Sequence, residues 1–248
     1  SSLIRSFTGS HRLVLDYLVE EVLNQQPETV QTFLLHTAVL NQLTGSLCDA
    51  LTGQENGQAV LETLEQTNLF IIPLDEERHW YRYHHLFTDL LRQRLERNQP
   101  EQVPVLHSRA SVWFEQNEFS EEAVEHALRA EDVERAAQLI ERIAEAVWGR
   151  GEYKLQRWLS TLPVDLLFIK PQLCIFHAWF LLSCGKLDEA DQLLQAANRA
   201  LEDGAGSDDM AQEKGNKADQ TIRGRIAATQ AFSAFYHGDI PGTMQYAS

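Results

Sequence analysis

Residues 80–95, WYRYHHLFTDLLRQRL, decide the fold. The first half alternates aromatic and polar side chains with a period of two, as a half-buried strand does. From Leu86 on, Phe87, Leu90 and Leu91 recur at helical spacing. Two histidines, His84 and His85, stand at the junction. A helix that starts directly from a strand leaves backbone N–H groups unpaired, and a histidine placed there can meet a phosphate. Upstream, residues 68–74 (NLFIIPL) are β-prone and residues 75–79 form a charged turn, which predicts a β-hairpin. Before it, Leu13, Val14, Tyr17, Leu18, Val22 and Leu23 make one apolar helical stripe, and Pro27 opens a helix reaching about Val39. Residues 41–45 are a turn, and short helices follow over about 46–51 and 57–67. Helices followed by a hairpin are the parts of a winged helix.

Beyond residue 98 the pattern becomes purely helical. Pro100 and Pro104 mark a break, then 105–117 pairs with 120–130, the latter beginning with Ser120 as a cap and Glu122 in its first turn. Residues 132–148 carry Val133, Ala136, Ala137, Ile140, Ile143, Ala144 and Val147 on one face, and Gly149 and Gly151 are expected to stop that helix. A short helix over 153–162 closes at Pro163, and Pro171 starts a helix through Cys184. Tight turns at 117–123, 185–190 and 238–243 join paired helices. The later two lie 53 residues apart, and the polar stretch 203–217 (DGAGSDDMAQEKGNK) reads as a mobile insertion between helices. Without it the period approaches the roughly 34–40 residues of tetratricopeptide-like repeats. Trp113, Trp148, Trp158 and Trp179 fall on apolar helical faces and read as core packing. The expected class is mainly α: a winged-helix domain with one β-hairpin, then an α-α superhelix.

Composition sets limits on function. With 21 basic and 36 acidic residues the net charge is −15, which argues against nucleic-acid or anionic-membrane binding by this segment. Cys48, Cys174 and Cys184 show no paired framework and read as reduced thiols, most of them buried. Such thiols fit a cytoplasmic location, and no apolar run is long enough to span a bilayer, so no membrane span is expected. The first residues, SSLIRSFTGSHR, lack a signal-peptide core and an initiator Met, so the chain is expected to begin inside a longer one. The P-loop, zincin, nucleophile-elbow and dinucleotide patterns are all missing, and an independent enzyme is not expected. Adjacent carboxylates such as Glu20/Glu21, Glu121/Glu122 and Asp208/Asp209 diverge on a helix and read as solvated faces. His79, His84 and His85 fail as a metal site because no third ligand sits at metal spacing and the two junction side chains are expected to point apart.

Residues 80–95 closely resemble the end of the winged-helix part of signal-transduction ATPases of the maltose-regulator (MalT) and large LuxR type. In such regulators a nucleotide-binding domain, a winged helix, an α-superhelical sensor and a DNA-binding helix-turn-helix follow one another. The resemblance extends over nearly the whole chain, including residues 9–22 and the stretches 148–152 and 155–163. It implies a winged-helix domain over 1–99, a helical arm over 100–165, and the start of a tetratricopeptide-like sensor over 166–248. In related ATPases a Met-His-Asp motif ends the winged helix, and its histidine contacts the ADP β-phosphate. Here Tyr83-His84-His85 holds that place, which makes His84 the candidate nucleotide sensor and His85 a packing or capping residue. The third position departs from the motif, having His for Asp. The residue-level alternative is a junction histidine that caps backbone groups. Arg12 precedes the first helix and reads as surface charge.

The resemblance further implies a non-catalytic regulatory segment with no cofactor of its own, and ATP or ADP in the full-length protein. The implied partners are the nucleotide-binding domain of the same chain, an inducer small molecule or regulatory protein on the sensor, and a further copy when active. The alternative is a constitutive scaffold whose helical repeats present a groove to a protein.

Overall fold

The computed structural model describes residues 23–204 and 212–246. They fall into two compact units, divided between Asp132 and Val133. That division lies within the segment expected as the helical arm. The expected first helix over 13–23 lies, all but Leu23, outside the described residues, as do the 9–12 segment and residues 205–211 of the polar stretch 203–217.

In the first unit α1 (Glu28–Thr37), α2 (Gly45–Thr52) and α3 (Gly57–Gln66) precede the hairpin β1 (Ile71–Pro73) and β2 (Tyr81–Tyr83). The strands are antiparallel, with Ile71 opposite Tyr83 and Pro73 opposite Tyr81. Leu43 adds a third segment on the far side of β2: its N–H donates to the Tyr81 carbonyl (2.8 Å), and the Tyr81 N–H donates back (2.9 Å). The turn expected over 41–45 thus contains a bridging residue. β2 is therefore flanked on both sides, and Pro73, which lacks an N–H, sits on the outer strand where none is needed. Tyr81 and Tyr83 point into the core while Arg82 faces out. Phe33, Leu34, Leu43, Leu47, Leu51, Leu61, Tyr81, Phe87 and Leu91 are fully buried there. α2 and α3 meet at two glycines: a Cβ on Gly45 would stand 2.7 Å from the Cβ of Gln58, and one on Gly57 would strike the Gly45 carbonyl. This contact fixes the helix-turn-helix.

α4 (His85–Asn98), α5 (Gln102–Gln116) and α6 (Ser120–Arg129) complete the unit. Pro104 lies in the first turn of α5, where its missing N–H would have had no helical partner, so α5 starts earlier than expected. Ser120 is the first helical residue of α6 and not its cap; Phe119 holds the cap position without a side-chain bond.

The second unit begins with α7 (Val133–Thr161), 29 residues long. Gly149 and Gly151 do not stop it, contrary to expectation. Two glycines weaken a helix by roughly 2 kcal/mol, and buried Leu155, Trp158 and Leu159 anchor the turns beyond them. The expected helix over 153–162 is its last part. α8 (Val164–Phe168), unforeseen in the sequence, α9 (Pro171–Ser183), α10 (Leu187–Gly204), α11 (Gln212–Tyr236) and α12 (Ile240–Tyr246) follow. α10 and α11 extend into the stretch read as a loop and leave only 205–211 between them. Cys174, Ala178, Leu182, Ala190, Leu194, Ala197 and Ile226 form the core, with alanines where helices approach closely. Cys48 and Cys174 are buried thiols and Cys184 an exposed one.

One turn geometry recurs. At the α9–α10 turn, Lys186 N–H donates to Leu181 O (2.9 Å) and Gly185 N–H to Leu182 O (3.0 Å); at α11–α12, Asp239 and Gly238 repeat both bonds. The α5–α6 and α6–α7 turns form the same pair of bonds around Glu118 and Glu131. All four central residues have positive φ, between 58° and 74°.

Candidate functional site

The strand-to-helix junction is built by backbone. His84 N–H donates to Phe70 O (2.7 Å), and His84 O accepts from Phe87 N–H (2.9 Å) and Thr88 N–H (3.0 Å). His84 occupies the cap position of α4 in an extended conformation, with no capping bond from its side chain. The capping alternative therefore holds for its backbone and not for its imidazole. Phe87 is locked in place by Tyr83 (centroids 6.0 Å, edge-on) and Phe70 (5.5 Å). The Tyr83 hydroxyl meets Thr37 Oγ1 at 2.8 Å, and Thr37 Oγ1 donates to Phe33 O at 2.7 Å. Burial holds the Tyr83 phenol well above its ordinary pKa, so it serves as a neutral hydrogen-bonding group.

His84 is half-buried and His85 exposed. Their rings lie side by side, 4.3 Å between centroids and tilted 33°. This corrects the expectation that the two side chains point apart. Alternation holds only while the chain stays extended, and the switch from the extended His84 to the helical His85 brings both rings to one side of the junction. Neither imidazole has a hydrogen-bond partner among the described residues. The junction thus presents two adjacent imidazoles beside the N-terminus of a 14-residue helix, an arrangement suited to an anion such as a phosphate.

A second histidine pair was not singled out from the sequence. His107 on α5 and His126 on α6 are buried, 7% and 4% exposed, with their Nδ1 atoms 2.9 Å apart. One Nδ1 must carry a proton and the other accept it. Burial, then neighbouring positive charge, lowers both pKa values: His107 to about 4, through Arg129 and Arg92, and His126 to about 3, through His107 and the same arginines. Arg92 is itself fixed at the end of α1, donating to Ala38 O (2.7 Å) and Leu40 O (3.2 Å). This pair is a structural hydrogen bond between neutral rings.

In the second unit, α7, α9 and α11 form an open cavity of about 520 Å³ lined by Trp148, Ile175, Phe176, Trp179, Ala228 and Thr229. At its edge Arg225 Nη1 donates to Glu145 Oε1 at 2.5 Å, tying α11 to α7. Trp148 packs on Phe176 (5.3 Å) and Trp179 on Phe232 (4.9 Å). Of the four tryptophans read as core, only Trp158 is fully buried. Trp148 and Trp179 are half-buried cavity walls, because α7, α9 and α11 do not close completely at their faces.

The first unit is a winged helix in which α3 occupies the position that enters the major groove in DNA-binding helix-turn-helix proteins. α3 (GQAVLETLEQ) carries two glutamates and no lysine or arginine. The class is therefore a winged-helix segment continued by helical hairpins. Residues 19–103 match the MalT winged helix domain. Over 224 residues, 90% of this chain, it is 33% identical to the HTH-type transcriptional regulator MalT of Yersinia pestis (strain Pestoides F), covering 24% of that protein. It is likewise 33% identical over 229 residues to the protein of that name from Cronobacter sakazakii, again 90% of this chain and 24% of the relative. The chain is a MalT-like segment spanning about a quarter of the length of these relatives. No helix among the described residues is long and apolar enough to cross a membrane.

Proposed function

We propose that this segment is the non-catalytic relay of an ATP-dependent, inducer-responsive transcriptional regulator. Its winged helix holds a nucleotide-binding domain of the same chain in an ADP-bound resting state. Its helical hairpins, the start of a tetratricopeptide-like sensor of the large LuxR type, shift that balance when an inducer binds. A ligand shifts such an equilibrium only if it binds one state more tightly than the other. The observation that carries this reading is the likeness to MalT over 90% of the chain, centred on the winged helix. The acidic α3 supports a winged helix that meets protein rather than DNA. The aromatic cavity between α7, α9 and α11 is the place for a small inducer with a flat apolar face. His84, at the start of α4 with its imidazole unengaged, is the nucleotide sensor, and His85 lies close enough to share the contact.

The test uses the chain with its flanking nucleotide-binding sequence. A hydrogen bond to a charged group contributes roughly 1.5–3 kcal/mol, so His84→Ala is expected to weaken ADP binding about tenfold or more while the melting temperature stays close to the parent's. Unchanged ADP affinity in folded His84→Ala and His85→Ala proteins would leave the junction as a purely structural element and favour a constitutive scaffold.

A further inference from the structure

A second cleft, of about 670 Å³, opens in the first unit between the wing, the start of α2, the α2–α3 connection and the α5–α6 turn. Its aromatic wall consists of Trp80, Trp113 and Phe119: Trp113 and Phe119 are stacked (6.2 Å, 11°), and Trp80 meets Phe119 edge-on (5.6 Å, 77°). Phe119 is 37% exposed despite its size. Three carboxylates, Asp49, Glu55 and Glu62, also line the cleft. Asp49 Oδ1 accepts from Gly57 N–H (2.7 Å) and Glu62 Oε1 from the Gln58 amide (2.9 Å), both neutral donors. No lysine or arginine lines the cleft, and its one histidine, His79, faces Glu77 at 3.3 Å.

Aromatic faces attract cations through their π-electron density, and carboxylates add charge-assisted hydrogen bonds. Without a resident cation the two together select a positively charged group on an apolar stem. We propose that this cleft docks an arginine or lysine side chain presented by a partner polypeptide. Its open form leaves room for the backbone that carries such a side chain, and the chain's net charge of −15 favours a basic partner. The surface is distinct from the nucleotide-sensing junction proposed above and does not depend on it.

The probe is a tetra-arginine peptide, titrated into the whole chain at about 0.15 M salt, where exposed charges are screened beyond about 8 Å, and followed by tryptophan fluorescence. Saturable binding is expected, with at least a tenfold loss in Glu55→Gln/Glu62→Gln and at least a threefold loss in Phe119→Leu. Glu134→Gln/Asp165→Asn, which removes the same charge from exposed positions of the second unit, should stay within twofold of the parent. A tetra-citrulline peptide, of the same shape but uncharged, should bind at least tenfold more weakly. Equal losses in the two double variants, equal binding of the citrulline peptide, or no saturable binding would each overturn the proposal. The glutamate substitutions lie on the surface and leave the fold intact, so they remain decisive even if Phe119→Leu perturbs the α5–α6 turn.

Discussion

The buried His107–His126 pair should make the first unit acid-labile. In the unfolded chain each imidazole titrates near the ordinary 6.5; in the folded protein His107 is held down to about 4 and His126 to about 3. Below pH 6.5 the unfolded chain therefore binds more protons than the folded one. The contribution to stability is complete above that pH and is lost progressively as the pH falls towards 4 for His107 and 3 for His126. Each histidine contributes a slope of about 1.4 kcal/mol per pH unit inside its window. Between pH 7.5 and 5.0 the two together should lower stability by about 4 kcal/mol, a large share of the roughly 5–15 kcal/mol that holds a domain folded. Urea denaturation followed by circular dichroism at the two pH values measures this loss. In His107→Leu/His126→Leu both partners of the hydrogen bond are replaced together, so no buried donor is orphaned and stability at pH 7.5 should change little. Its loss between the two pH values should fall by about 4 kcal/mol relative to the parent. A double variant that loses as much stability as the parent would refute the argument, because the acid sensitivity would then arise elsewhere.

Two further outcomes follow from backbone geometry. Gly57→Ala places a methyl group against the Gly45 carbonyl and Asp49, and backbone there has little room to give; a loss of about 2 kcal/mol in urea denaturation is expected. Glu131→Gly relieves a left-handed residue (φ 58°) in the α6–α7 turn. It should stabilise the protein by about 1 kcal/mol after the greater unfolded-state entropy of glycine is subtracted, seen as a higher melting temperature.

How far the sequence disclosed the fold depended on the range of the signal. The hairpin and α4 were readable because periodicity changes from two to 3.6 within residues 80–95, with no competing pattern. The bridge at Leu43 was not, because a one-residue pairing leaves no alternation to detect; its partner Tyr81 is 38 residues away. Gly149 and Gly151 misled for a related reason. Glycine lowers helix propensity locally, but the anchors that keep α7 continuous, Leu155, Trp158 and Leu159, act through burial of their side chains. The turn around Glu118 was legible from the sequence, but the left-handed residues at Glu118 and Glu131 are not glycines, so only two of these four helix–helix turns carry the usual marker.

The candidate sites were less legible than the fold for the same physical reason. His84 drew attention because its significance is local, at a helix start one residue beyond a strand. His107 and His126 lie 19 residues apart on separate helices, and nothing near either predicts that their rings meet at 2.9 Å; only the α5–α6 turn brings them together. The second unit's cavity needs three helices, with Trp148 on α7, Trp179 on α9 and Thr229 on α11. Each tryptophan satisfies the pattern of a core residue, and whether it packs or lines a void depends on how completely the neighbouring helices close. A helical repeat pattern predicts that helices will stack; it carries no information about where the stacking leaves space. In a helical-hairpin architecture, ligand sites are therefore to be sought where large aromatic residues on the apolar faces remain half-buried after folding, and Trp148 and Trp179 meet that condition while Trp158 does not.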